Sequence, residues 1–148
     1  MTIAFNPVAV SAVIAGVSIS GVTVKGISAI PQGGRLVCPI IFPNPAQLVT
    51  DVSTEAQYIN GVDIDYSYNL HYIMLYAELG SGISALNPFA PMVQQIENAV
   101  EAWMASEAIK DIADVIFGGI ETIGQVQDAS GNSYWGALFS IHCREYSV

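Results

Sequence analysis

The chain has 148 residues, 52% of them hydrophobic and 11% charged, which excludes a disordered class and fits one domain over residues 1–148. Thirteen acids against four bases give a formal net charge of −9, the wrong sign for gripping nucleic acid through its phosphates. With mean hydropathy at +0.47, part of the surface is expected to lie against other subunits or a membrane. The charge is split: residues 1–50 hold Lys25 and Arg35 and no acid, whereas residues 51–128 hold twelve acids and only Lys110. One acidic and one nearly uncharged surface follow from that division.

Residues 1–24 carry no charge, but Asn6, Pro7, Gly16 and Gly21 interrupt them, which speaks against a spanning helix of about 20 apolar residues. A basic region of the signal-peptide kind is absent too. The better reading is a short helix from Pro7 to Ala15, with Asn6 as N-cap and Pro7 at its first position. Val22 to Ile27 reads as a short strand, and Ile30 to Gly34 as turn chemistry. Leu36 to Pro45 packs apolar residues between three prolines, as an edge strand or an extended segment lying on the core.

Residues 44–62 are polar and without clear period, and are expected as a long loop or arm. Leu48, Val49, Tyr58 and Ile59 are its apolar anchors, suited to a neighbouring subunit. From Asp65 to Leu79 the pattern alternates as a long strand, with Tyr66, Tyr68, Leu70, Tyr72, Met74 and Tyr76 on one face. That tyrosine face fits either a subunit interface, for which Tyr66, Tyr68 and Tyr72 are the candidates, or packing within one subunit.

Asn87-Pro88 opens the clearest helix, with Phe89, Met92, Val93, Ile96, Val100, Trp103 and Met104 as a core-facing stripe. A weaker helix is predicted over Ser106 to Ile116, stopped by Gly118-Gly119. The C-terminal part reads as a β-hairpin: Ile120 to Gln127, a turn at Asp128 to Asn132, then Trp135, Ala137, Phe139, Ile141 and Cys143 pointing inward. The fold class is therefore α+β, a largely antiparallel sheet packed on one or two helices.

Chemistry is sparse. Asp63 and Asp65 form a D-x-D with no third oxygen ligand close by, so a solvated turn is expected rather than a metal site. Cys38 and Cys143 lack partners at metal-finger spacing and read as buried free thiols, with a disulfide as the alternative. His71 and His142 have no nucleophile or orienting carboxylate at a telling spacing. Glycine-rich phosphate loops are missing, since Gly33-Gly34 and Gly118-Gly119 lack the required spacing. No catalytic residue, metal or cofactor is expected.

Four segments taken in succession point to a family: Val24-Lys25-Gly26-Ile27 to Ile30-Pro31; Cys38-Pro39-Ile40-Ile41-Phe42-Pro43-Asn44-Pro45; Tyr66-Ser67-Tyr68-Asn69-Leu70-His71-Tyr72; and Gly124-Gln125-Val126 with Trp135-Gly136-Ala137-Leu138. Their order resembles the tail terminator, or neck, proteins of long-tailed bacteriophages over residues 20–146. The resemblance implies a virion protein assembled in the host cytoplasm as a homo-oligomeric ring, expected to be hexameric. It would meet the tail tube protein and the head-side connector protein, with DNA passing through the lumen without specific binding and no membrane involved. It also implies a sheet-lined channel with helices outside, for which Asp63, Asp65 and Glu78 are the candidate acidic lumen. A head-completion adaptor or tail tube subunit is the alternative within that class. Outside it stands a small-molecule-binding domain or enzyme using the Tyr66, Tyr68, Tyr72 face and His71.

Overall fold

The alternation that begins near Asp65 becomes the spine of the molecule in the computed structural model. The structure describes residues 5–58, 62–79 and 87–145, with the backbone alone for 55–58 and 62–64. In chain order the elements are α1 (Pro7–Ala15), β1 (Thr23–Val24), β2 (Ile40–Pro43), β3 (Val49–Tyr58), β4 (Val62–Glu78), α2 (Phe89–Ala105), α3 (Glu107–Lys110), β5 (Ala113–Gln127) and β6 (Ser133–Glu145). The strands form one sheet in the order β1-β2-β4-β6-β5, with β3 paired to β4 alongside β2. Among the described strands only β1 and β2 run parallel. The fold is α+β, as expected.

Period-two alternation in β4 sends Tyr68, Leu70, Tyr72 and Met74 to one face, where they are fully buried. From β6, Ala137, Phe139, Ile141 and Cys143 join them, and the helices close over this layer with Val10, Ile14, Ile96, Ala99, Val100, Trp103 and Ile109. Tyr72, Trp103 and Phe139 stack at its centre, with ring centroids 5.3 to 6.3 Å apart. Burying one such aromatic contributes about 1.5–3 kcal/mol. The tyrosine face is thus the subunit's own core. Tyr68 and Tyr72 cannot contact another copy, which corrects the interface expectation for both.

Asn6 caps α1 through its Oδ1, which accepts from the Ala9 N–H, and Pro7 stands at the first turn. In α2 the predicted stripe is buried at Met92, Ile96, Val100 and Trp103, while Phe89 and Met104 are 40% exposed at its two ends. The helix predicted over Ser106 to Ile116 stops at Lys110 instead. Ala113, Val115 and Phe117 pair with Glu145, Cys143 and Ile141. Valine and isoleucine in that stretch favour a strand once a partner is beside them, so tertiary pairing overrides the helical spacing.

Two further expectations are revised. Ile40 and Phe42 face one side of the sheet and Ile41 the other, each packed into a cluster, so β2 is covered on both sides. Its far neighbour β1 supplies only two residues, and prolines 39 and 43 stand before and at the end of the strand, where a missing donor is tolerated. Residues 44–62 are not a long loop, because Val49–Tyr58 pairs with β4 as a hairpin arm. Its polar residues alternate with few apolar ones and so carry little strand signal. Ile59 lies outside the described residues.

Candidate functional site

The sheet face turned away from the helices divides into an apolar end and a polar end. At the apolar end Ile40, Phe42, Leu75 and Tyr134 form a second cluster, flanked by Ile30, Leu36 and Cys38. Beside it lies a cleft of about 390 Å³ lined by Pro31, Leu36, Phe42, Asn44, Ile73 and Leu138, among others. Asp128 closes the hairpin turn at its rim, accepting from the Ser130 and Asn132 N–H groups and the Tyr134 hydroxyl. These bonds outweigh its partial desolvation and hold its carboxyl below the usual value.

Three strands converge at the polar end. Thr50 leaves β3, His71 stands on β4 and Glu121 on β5. Thr50 Oγ1 lies 2.6 Å from His71 Nε2, and Glu121 Oε1 lies 2.6 Å from His71 Nδ1. The backbone of His71 is pinned as well, donating to the Leu48 carbonyl at 3.0 Å and accepting from the Asn44 N–H at 2.9 Å. Its side chain is 9% exposed, that of Glu121 37%. The bridge crosses β6 above Ser140, the partner of His71. A small residue there, and irregular pairing of β5 on either side of Gly119 and Ile120, bring the glutamate over.

Just past Thr50 the pairing of β3 with β4 shifts register, skipping Asp51 and Val52. Asp51 takes a φ of +54°, a left-handed conformation that costs a non-glycine residue about 1 kcal/mol or more. Its carboxylate accepts from Asn69 Nδ2 at 2.8 Å, and Asn69 Oδ1 meets His142 Nδ1 at 3.0 Å. Ser53 and Ser67 share a hydrogen bond, and Arg144 Nη2 donates to Asp65 Oδ2 at 3.0 Å.

Glu145, at the far end of β6, is buried and accepts the Asn6 N–H at 2.8 and 3.1 Å. Burial raises its carboxyl above the usual value, against the pull of the Asn6 N–H and the Tyr68 hydroxyl. Burial likewise pushes the Tyr68 and Tyr72 phenols far up, and the Cys143 thiol up to about 12. Cys38 rises to about 11, through burial and then the nearby Glu78 charge. Both cysteines are free, and they belong to clusters on opposite faces of the sheet.

The sequence candidates are scattered by this geometry. Tyr66 is half-buried beneath Phe5 at 5.3 Å. Val49 packs onto the core and Leu48 is half-buried. The side chains of Tyr58 and Asp63 lie outside the described residues. Asp65 and Glu78 sit at opposite ends of β4, about 43 Å apart at ~3.3 Å per residue. Each is neutralised by an arginine, Arg144 at 3.0 Å and Arg35 at 2.7 Å, so the two do not form one acidic wall. Among the described residues no group of three metal-ligating side chains occurs. A site combining His71 with Tyr68 and Tyr72 is excluded, because the sheet stands between them.

Thr50 and Glu121 were not singled out from sequence. Positions 50, 71 and 121 have no telling spacing, and only the register of four strands unites them. Compared with known proteins, the chain matches no family model and no curated protein.

Proposed function

We propose that the chain is a structural subunit of the neck of a long-tailed bacteriophage, in a ring that ends the tail tube and joins it to the head-side connector. The observation that carries this reading is the long free edge of the sheet. β5 offers fifteen residues at one end of the strand order, with Ile116, Phe117 and Ile123 between 37% and 57% exposed beside it. β3 presents a second edge on the other side of β4. An exposed, partly apolar edge of that length invites pairing with another chain. Joining unlike edges head to tail is a heterologous contact, which makes rings when the rotation closes.

The segregation of helices to one face supports the same reading, because it leaves the hydrogen-bonded polar face to line a passage. Side chains tied to one another there, with arginines already paired to carboxylates, have little to offer passing phosphates. The exposed acids of the helices, Glu97, Glu101, Glu107 and Asp111, then face outward or toward a neck partner. A head-completion adaptor or a tail tube subunit would use the edges in the same way.

Light scattering and electron microscopy of the purified chain test the proposal. Rings with a central passage are expected, and Ile116→Lys with Ile123→Lys on the β5 edge should leave folded monomers. Monomers at all concentrations, with no ring in assembled particles, would overturn it.

A further inference from the structure

Both ring nitrogens of His71 have side-chain partners, and the two partners differ in chemistry. A buried imidazole needs one partner for each nitrogen, and here the two partners are a hydroxyl and a carboxylate, on Nε2 and Nδ1 respectively, both at 2.6 Å. That is the order of groups in which a base removes a proton from an alcohol while an acid holds the base in the correct tautomer. The hydroxyl belongs to the residue just before a register shift and a strained Asp51, and bulges and backbone strain gather at reactive sites. The apolar cleft lies further along the same face, with walls that do not include the three residues themselves. Ile73 lies two residues beyond His71 on the same face, Leu138 pairs with it, and Asn44 both lines the cleft and binds the His71 carbonyl.

We propose that Thr50, His71 and Glu121 act as nucleophile, general base and orienting carboxylate in the hydrolysis of carboxylic esters, with the cleft receiving a short apolar acyl chain. Thr50 Oγ1 attacks the ester carbonyl carbon as its proton passes to His71 Nε2, and Glu121 stabilises the imidazolium. The bond from carbon to the alcohol oxygen then breaks, and His71 returns the proton to that oxygen, leaving an acyl-Thr50. Water attacks the acyl carbon and gives its proton to His71, which passes it to the Thr50 oxygen as the carboxylic acid leaves. The N–H groups of Asp51 and Val52, out of register with β4, are the donors nearest in sequence for the oxyanion. A volume of about 390 Å³ is ample for an acyl chain of a few carbons.

The full chain is to be incubated with p-nitrophenyl butyrate and, separately, with a fluorophosphonate. Nitrophenolate release above buffer is expected, with the phosphonyl mass on the peptide containing Thr50. Thr50→Val and His71→Gln should lose about 100-fold or more, the range of general-base catalysis, while Thr50→Ser keeps activity. Glu121→Gln should fall in between. His142→Ala removes the other histidine and should change nothing, which separates this site from incidental hydrolysis by a surface imidazole. Circular dichroism checks that each variant is folded, and if Thr50→Val or His71→Gln is not, Thr50→Ser and Glu121→Gln decide. No release above buffer with no adduct on Thr50, or equal rates in wild type, His71→Gln and Glu121→Gln, would overturn the proposal.

Discussion

Gly136 lies in β6 where three strands approach one another, and alanine there is the sharpest test of the sheet's packing. A Cβ built on Gly136 would fall on the Met74 carbonyl oxygen of β4, inside the 3.0 Å that real Cβ atoms essentially never breach. It would also press on Val126 of β5 at 3.2 Å. Backbone cannot swing away as a side chain can, so β6 must shift against β4. Overpacking of this kind costs about 1–3 kcal/mol, set against the ~0.4–1 kcal/mol gained by stiffening the unfolded chain. A net loss of about 1.3 kcal/mol should lower the melting temperature by roughly 3–5 °C for a domain of this size. Urea unfolding followed by far-ultraviolet circular dichroism should show a lower midpoint with the slope unchanged. Gly33→Ala is the control, since its Cβ would meet only the Ser130 hydroxyl at 3.2 Å, and it should stay within ~0.5 kcal/mol of wild type. Gly136→Ala within that same margin would refute the steric argument.

Tyr72→Phe should leave stability unchanged or raise it by up to about 1 kcal/mol, because the Tyr72 hydroxyl is buried with no protein group in hydrogen-bond range; a loss above 1 kcal/mol in thermal unfolding would contradict this. Glu145 holds its proton to higher pH folded than unfolded, where the ordinary value is 4.5. Its contribution is therefore complete below that value and declines as pH rises through the folded pKa. Denaturant midpoints at pH 4 and pH 7 should show wild type losing ground to Glu145→Gln with rising pH, and the opposite trend would count against the buried carboxyl. Asp128→Ala removes the acceptor of the hairpin turn and should cost about 1 kcal/mol, in the range of a lost helix cap, measured by chemical unfolding.

Local chemistry accounts for the parts of the fold legible in sequence. Asn6-Pro7 carries its own capping geometry, the stripe from Met92 to Trp103 its own period, and β4 and β6 alternate because one face of each meets the helices. Residues 113–116, predicted as helix, form strand because valine and isoleucine look alike in both states until β6 is beside them. Residues 49–58 were misread because a hairpin arm with little buried surface needs few apolar residues. Tyr68 and Tyr72 lie in the core for a related reason: alternation says that one face is buried, not what buries it. The Thr50, His71 and Glu121 contacts depend on strand register and on the irregular pairing of β5, neither of which a single segment encodes.

The position of β6 bears on how the chain comes to be folded. It follows every other described strand in sequence, yet it lies between β4 and β5. Until it arrives, β4 and β5 have no shared partner, and Glu145 cannot hold the Asn6 N–H at the start of α1. A nascent chain would thus carry β5 unpaired and one edge of β4 open until β6 emerges. Folding is then expected to be all-or-none with respect to that strand, and a chaperone has its window before it.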